Sequence, residues 1–295
     1  MPRGLSVVIP VYRDRGTLFR ALDALEPQIA DAAREVIVVE SSGDETAPAV
    51  ARRYPWARVI ALSDRASYGR AVNLGAEIAR GESIVVMDAD ALPQPGCLNA
   101  LEQAGLRAEA VAGAVLNGPR GHPIAAAGHL LEFSNWLPGK RRAQHAAGCN
   151  FLVRRSAWRR EGGFPEDVWT GADTTFSLRF GIAGTLAWAP DARVRHLNRT
   201  SLRGYLREQH KHGVGAVQIA RGGDFPHAWV FRPALAPLAA GVKLLGVLRS
   251  LRRPVDAASM LLLSPLLLLG LVAWAVGVAR SSRLAHLPLP VPAHE

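Results

Sequence analysis

Short apolar runs alternate with amphipathic stretches from the amino terminus as far as Asp90. Leu5–Val11 (LSVVIPV), Glu35–Val39 (EVIVV), Ala57–Leu62 and Ile84–Met87 read as strands. Each is a near-continuous apolar run of the kind that buried parallel strands carry. Between them, Thr17–Leu25, Thr46–Arg53 and Tyr68–Arg80 place apolar residues at helical spacing. This regular beat predicts an α/β fold, a mostly parallel twisted sheet with helices on both faces. Right-handed crossovers then bring the carboxyl ends of these strands to one rim.

After Asp90 the beat loosens. Pro93–Leu106 predicts a helix opening near Pro95, and Ala110–Leu116 and Ala146–Arg154 predict strands, the latter feeding a helical Arg155–Arg160. Asn117–Arg142 is polar, glycine-containing and without a clear period. A turn at Gly162-Gly163-Phe164 precedes a helix over Asp173–Phe180, extended segments at Thr185–Trp188 and Ala192–His196, and a polar, His-rich helix over Ser201–Ala220. No internal repeat is found.

The far end changes character. Ala257–Ala279 carries no charge and is long enough for a transmembrane helix, in which Pro265 is tolerable. A second apolar segment, Trp229–Leu248, is interrupted by Arg232 and Lys243 and followed by the basic run Arg249-Ser250-Leu251-Arg252-Arg253. Two crossings would leave that run outside, against the tendency of Lys and Arg to stay cytoplasmic. An interfacial or re-entrant helix followed by one span suits the charges better, and a two-helix hairpin stays open. The expected layout is a globular domain over 1–222, with halves 1–116 and 117–222, then a membrane-associated tail over 223–295.

Charge and cysteine content narrow the partners. A formal net charge of +10 comes with only 6% aromatic residues and no basic–aromatic platform, so no nucleic-acid partner is expected. A membrane surface or anionic phosphate substrates explain the excess. Cys97 and Cys149, the two cysteines, lack metal-ligand spacing and fit a reducing compartment. The amino terminus runs straight into a strand without a signal-peptide h-region, which predicts a cytoplasmic catalytic domain at the cell membrane.

Candidate chemistry collects at the rim. Asp88 and Asp90 follow the Ile84–Met87 strand, where α/β sheets bind ligands, and alternate carboxylates can share one divalent cation. With the polar turn after the second strand and the Ser67-Tyr68-Gly69-Arg70 turn, they suit a nucleoside diphosphate held through a metal, Arg70 assisting as a cation. Asp173, opening a helix, reads first as a helix cap and is also a candidate base. His196 reads first as a partly buried hydrogen-bonding residue and is also a candidate third ligand. Trp136 and Trp169 read as packing or as sugar platforms, and Gln209-His210-Lys211-His212-Gly213 as a solvated helix end.

Taken together, these segments resemble the family 2 glycosyltransferases, inverting enzymes of the GT-A nucleotide-sugar fold, in one unbroken order from about Leu5 to Gly215. Leu5–Tyr12 is similar to the family's opening strand with its I-P-x-Y/F signature, here Pro10 and Tyr12. Glu35–Thr46 resembles its V-V-D-D-G-S-x-D-x-T turn, and Gly69, Asn73, Gly75 and Gly81 fall where its glycine- and asparagine-bearing helix stands. Asp88-Ala89-Asp90 occupies the place of its metal motif, and Asp173 with Leu178-Arg179 that of its E-D-x-x-L-x-x-R helix.

The resemblance implies Mg or Mn bound by Asp90 and His196. Donor contacts would come from Pro10, Tyr12, Glu40, Asp44, Arg70, Asn73 and Asp88, with Asp173 as general base. It implies transfer, with inversion, from a nucleoside-diphosphate sugar to a hydroxyl of a lipid-linked or cell-envelope acceptor. Ser41 and Ala172 stand where the family usually has acids, and no Q-x-x-R-W is present, which points to one sugar per encounter. The alternatives are a sugar-nucleotide nucleotidyltransferase, though no glycine-rich phosphate loop follows the first strand, and a non-catalytic membrane-bound sugar-nucleotide-binding or assembly protein.

Overall fold

The computed structural model describes residues 4–29, 34–168, 170–221, 228–250 and 254–283, with the side chains of 228, 254–260, 282 and 283 left aside. Trp169 and Leu251-Arg252-Arg253 therefore lie outside the described residues. The strands are β1 (Leu5–Val11), β2 (Arg34–Glu40), β3 (Ala57–Ala61), β4 (Ser83–Val86), β5 (Ala91–Pro93), β6 (Ala110–Asn117), β7 (Phe151–Arg154) and β8 (Leu186–His196). They form one sheet in the order β3-β2-β1-β4-β7-β6-β8-β5. β3, β2, β1 and β4 run parallel, as the strand–helix beat predicts. β7 enters antiparallel to both β4 and β6, β6 and β8 are parallel, and β5 is antiparallel to β8. The helices are α1 (Arg15–Ile29), α2 (Thr46–Arg53), α3 (Tyr68–Glu77), α4 (Cys97–Gly105), α5 (Pro123–Phe133), α6 (Arg155–Glu161), α7 (Ala172–Ala183), α8 (Leu202–Arg221), α9 (Ala236–Ser250) and α10 (Pro254–Arg283).

Four expectations change. The strand expected over Ala146–Arg154 begins only at Phe151, after a 3-10 turn at Gly148–Asn150. Pro93 belongs to β5, and helix α4 starts only at Cys97, after Gly96 turns the chain with φ +79°. The polar section 117–142 contains α5, whose apolar Ile124–Leu131 is masked in sequence by its flanks and which opens with Pro123 in its first turn, where the missing N–H costs nothing. Thr185–Trp188 and Ala192–His196 merge into β8, with Thr185 just ahead of it.

The chain divides into two compact units. The first comprises the described residues of Met1–Gly118, Trp136–Asp167 and Phe176–Leu197, and the second those of Pro119–Asn135, Val168–Thr175 and Asn198–Glu295. The first holds the whole sheet. Val7, Val8, Ile9, Val36–Val39 and Ile84–Val86 are fully buried, which is why these strands show no polar alternation. Gly75 lets α3 lie close on this sheet: a Cβ there would stand 2.4 Å from a Val8 methyl.

The second unit packs α10 against α8, α5 and α9. Its core joins Ala127, Leu131, Tyr205, Val247, Leu267 and Leu271, with a further cluster of Val217, Val230, Ala236, Ala239, Trp274 and Val278. Large apolar side chains so buried contribute about 1.5–3 kcal/mol each. α8 and α10 meet backbone to backbone through glycines. A Cβ on Gly213 would lie 2.1 Å from the Trp274 carbonyl oxygen, and one on Gly277 2.2 Å from that of His210. α10 contains the one segment among the described residues long and apolar enough to cross a membrane, Leu261–Ser281.

Candidate functional site

The site grows out of the end of β4. The Met87 amide still bonds the Val8 carbonyl (3.1 Å), then the chain leaves the sheet with half-buried Asp88 and Asp90 on either side of buried Ala89. It rejoins as β5, which pairs antiparallel with the last residues of β8, setting Ala91 opposite His196. That pairing brings His196 Nε2 to 3.1 Å from Asp90 Oδ1. One ligand atom from each of Asp88, Asp90 and His196 lies within 4.8 Å of the others, all three residues half-buried.

The aim of β8 depends on a bulge. Its register with β6 slips after Gly113, whose partner is Ala189, to Ala114, whose partner is Arg193. Buried Asn150 holds the irregularity, its amide donating to the carbonyls of Ala114 (3.0 Å) and Ala192 (2.9 Å). Gly113 is required there, because a Cβ would stand 2.1 Å from the Asn150 amide nitrogen. Bonds from the Leu197 amide to the Asp90 carbonyl (2.9 Å) and from the Gly118 amide to the His196 carbonyl (2.8 Å) fix the rim.

This donor set fits a divalent cation. Two carboxylates and an imidazole suit Mn-type ions. At ligand distances of about 2.0–2.2 Å, donors around one ion stand at most about 4.4 Å apart, and the three ligand atoms lie within 4.8 Å of one another, two of them at 3.1 Å.

The other predicted residues have contacts of their own. Pro10 lies beyond the last β1–β4 pair, Val8 with Val86, so its missing N–H leaves no ladder bond unmade on that side. Tyr12 has the guanidinium of Arg65 4.7 Å and that of Arg13 5.3 Å from its ring centre. Arg13 is the one non-glycine residue with positive φ among the described residues (+51°), a strained backbone at the strand end. Glu40 is buried, accepts from the Ser42 amide, and closes the turn that Ser41 ties to Val11. Asp44 accepts from the Thr46 amide (2.7 Å) at the start of α2, and hydrogen bonds from Thr46 hold its carboxyl below the ordinary value.

From the turn before α3, it is Tyr68 that reaches the acidic pair, donating to Asp88 Oδ1 (2.9 Å). Arg70 is exposed, and its amide bonds the capping hydroxyl of Ser67. Asn73 has its side chain engaged elsewhere: it donates to the Phe164 carbonyl and Glu166 (both 2.9 Å) and accepts from the Phe164 amide (2.9 Å).

Asp173 sits half-buried in the first turn of α7. Ala172 before it is fully buried. Within the second unit, α8 grips the approach to Asp173. Gln218 accepts from the Thr170 amide (3.3 Å), and Gly171, at φ +90°, lies so near Ile219 that a Cβ would stand 2.4 Å from its methyl. Trp136 is packing, its indole N–H bonding the His145 carbonyl (2.8 Å). Gln209–Gly213 is mid-helix rather than a solvated end, with Gln209 fully buried and donating to Glu132.

Sequence reasoning passed over Tyr68 as a donor to Asp88, the Arg13–Tyr12–Arg65 cluster, and Asn150. The basic residues flanking the two turns were the available signal for the cluster. Nothing local marks Asn150.

The model of glycosyl transferase family 2 matches residues 6–161. Among solved structures, the mannosyltransferase from Pyrobaculum calidifontis, in complex with GDP-Man and Mn2+, is 23% identical with a TM-score of 0.65, covering 97% of this chain and 88% of that one. Glucosyl-3-phosphoglycerate synthase from Mycobacterium tuberculosis, in complex with Mn2+, UDP-glucose and phosphoglyceric acid, is 19% identical with a TM-score of 0.54, covering 76% and 81%. No curated protein matches the chain in sequence. At these identities the structural likeness speaks for the fold, which is the GT-A fold the sequence led us to expect. The family match spans more than half of the 295 residues and includes both aspartates of the rim, so the chain belongs to glycosyl transferase family 2.

Proposed function

We propose that this glycosyltransferase moves one sugar from a nucleoside-diphosphate sugar to a hydroxyl of a lipid-linked or cell-envelope acceptor, with inversion and with a divalent metal. The observation that carries the reading is the convergence of Asp88, Asp90 and His196 at the end of β4 in a family 2 chain. Two neighbours of the same fold, solved with Mn2+ and a sugar nucleotide, support it. Asp90 and His196 would hold the ion, Mn2+ or Mg2+, with Asp88 beside them. Bound there, the ion supplies positive charge against the diphosphate leaving group.

The chain's own residues do the rest. Arg13, Arg65 and Arg70 offer cations to phosphate, Tyr12 and Glu40 flank the nucleotide, and Tyr68 orients Asp88. Asp173 accepts the acceptor's hydroxyl proton as that oxygen bonds the anomeric carbon. The bond from that carbon to the diphosphate breaks, and the nucleoside diphosphate leaves with the electron pair. Positioning and one proton transfer suffice, because the leaving group is already good once neutralised. The apolar carboxyl-terminal helix motivates an acceptor at the membrane, with transfer on the cytoplasmic side.

The test is a panel of GDP-, UDP- and dTDP-sugars incubated with the protein, Mn2+ and extracted envelope lipids. We expect one donor to release its nucleoside diphosphate in step with labelling of a lipid, and Asp90→Asn to abolish it. Release of pyrophosphate would indicate nucleotidyl transfer instead. Turnover with a soluble acceptor while all lipids stay unlabelled would refute the acceptor assignment.

A further inference from the structure

We infer that α9 and α10 lie in the plane of an anionic membrane surface, apolar faces turned into the lipid, so that α10 is immersed along its length and does not cross the bilayer. This rests on the reading of the tail as membrane-attached, and changes how it is attached.

Among the described side chains, the exposed apolar residues of α10 are Leu261, Leu262, Pro265, Leu268, Leu269, Val272 and Val276, with exposed Arg280 one turn beyond them. They recur at three- and four-residue spacing, which is one face of a helix, and Leu262 is 82% exposed. α9 repeats the pattern with Leu238, Val242, Leu245 and Leu248 exposed while Ala236, Ala239 and Val247 are buried.

The opposite face of α10 is occupied along the same length by α8. The Tyr205 hydroxyl bonds the Leu266 carbonyl (2.9 Å), Gly213 meets Trp274, Gly277 meets His210, and Arg221 bonds the Ser281 carbonyl (2.9 Å). α8 carries Arg203, Arg207, Lys211 and Arg221 exposed, and Glu208 paired with Lys211 (2.8 Å). Were α10 to cross, these charges would be drawn to hydrocarbon depth beside it, where such groups are costly. An in-plane helix meets no such conflict, since one face enters the lipid and the other carries protein.

Charge selects the partner. From Ala228 to Arg283 the sequence has seven Lys or Arg and a single acid, Asp256. Arg232, Arg249 and Arg280 are exposed near the ends of the two helices. A second copy of the chain would bring the same unneutralised cations to the seam, whereas anionic headgroups neutralise them.

The experiment uses the full chain with a spin label introduced singly at Leu262→Cys, Leu269→Cys or Val276→Cys, both native cysteines being buried. Label depth is read by power-saturation EPR in phosphatidylcholine vesicles with and without phosphatidylglycerol. We expect all three labels within a few ångströms of one depth, near the headgroup–acyl boundary, and at least tenfold weaker binding without the anionic lipid. The double variant Leu268→Glu/Val272→Glu should lose vesicle binding at least tenfold while keeping the wild-type unfolding midpoint and Mn2+–nucleoside diphosphate affinity. A crossing helix would separate Leu262 from Val276 by about 21 Å, about 1.5 Å per residue, and that ramp would overturn the proposal. Equal binding to both lipids, or labels shielded from lipid in a dimer, would overturn it too. Absence of binding to either vesicle would remove membrane attachment altogether, leaving the donor site untouched.

Discussion

Asn73→Ala separates two roles for one residue. By family resemblance Asn73 belongs with the donor contacts, yet its amide is committed to the turn at Phe164. It makes two bonds to the Phe164 backbone and one to Glu166, each 2.9 Å. Glu166 is exposed, so that bond adds little. The other two leave a part-buried amide and carbonyl without their partner, which costs about 2–4 kcal/mol in all. The rest of the turn is packed independently of Asn73: the Gly163 amide bonds the Trp158 carbonyl (3.1 Å), Phe164 is buried against Trp158 and Phe176, and a Cβ on Gly69 would strike the Pro165 carbonyl oxygen at 2.2 Å. For a domain of this size that loss lowers Tm by roughly 4–16 °C. Thermal and urea unfolding, followed alongside Mn2+–nucleoside diphosphate titration, give the answer. We expect the full stability loss with donor affinity within about threefold of wild type, and Asn73→Asp, which keeps the acceptor for the Phe164 amide, in between. A loss below about 1 kcal/mol together with a donor affinity reduced tenfold or more would refute the clamp and return Asn73 to the donor site.

Burial alone would raise the Glu35 carboxyl, but hydrogen bonds from Ser6, the Arg80 amide and Arg58 hold it below its ordinary 4.5. A depressed carboxyl stabilises the fold above its unfolded value and loses that contribution as pH falls through the folded one. Glu35→Gln should therefore cost about 1 kcal/mol in urea unfolding at pH 7 and progressively less below pH 4.5; an unchanged difference at low pH would contradict this. Asp173→Asn should nearly abolish sugar transfer with nucleoside diphosphate affinity unchanged, and full turnover would remove Asp173 from the mechanism. Gly171→Ala forces a side chain into φ +90° and against Ile219, so kcat should fall at least tenfold with donor KM steady. Ile219→Ala should restore part of that loss, and no restoration would mean the contact does not govern the loop.

The front of the sheet was legible because β1, β2 and β4 are buried on both faces, leaving uninterrupted apolar runs. Asp88 and Asp90 were legible for the same reason, standing where such a run ends. His196 could be singled out from its chemistry only as one candidate reading. It reaches Asp90 only through the β5–β8 pairing and the bulge that Asn150 stabilises, none of which has a local signature, and family resemblance supplied it. The bonds from Asn73 to Phe164 were hidden because the two residues lie 91 positions apart. Helix α5 was lost among polar flanks. Gln209–Gly213 looked like a solvated end because its charges are visible in sequence, whereas Trp274 and Gly277 covering the helix from the other side are not.

The central claim is that Asp88, Asp90 and His196 close on one divalent ion that holds the sugar nucleotide's diphosphate. Pulsed EPR of Mn2+ bound to the full chain with GDP or UDP tests it most directly, since a coordinated imidazole nitrogen modulates the echo. The account predicts that modulation in the wild type, its disappearance in His196→Ala with Mn2+ still bound more weakly, and loss of Mn2+ binding in Asp90→Ala. Tight Mn2+ binding that shows no nitrogen coupling, or that survives Asp90→Ala unchanged, would contradict it.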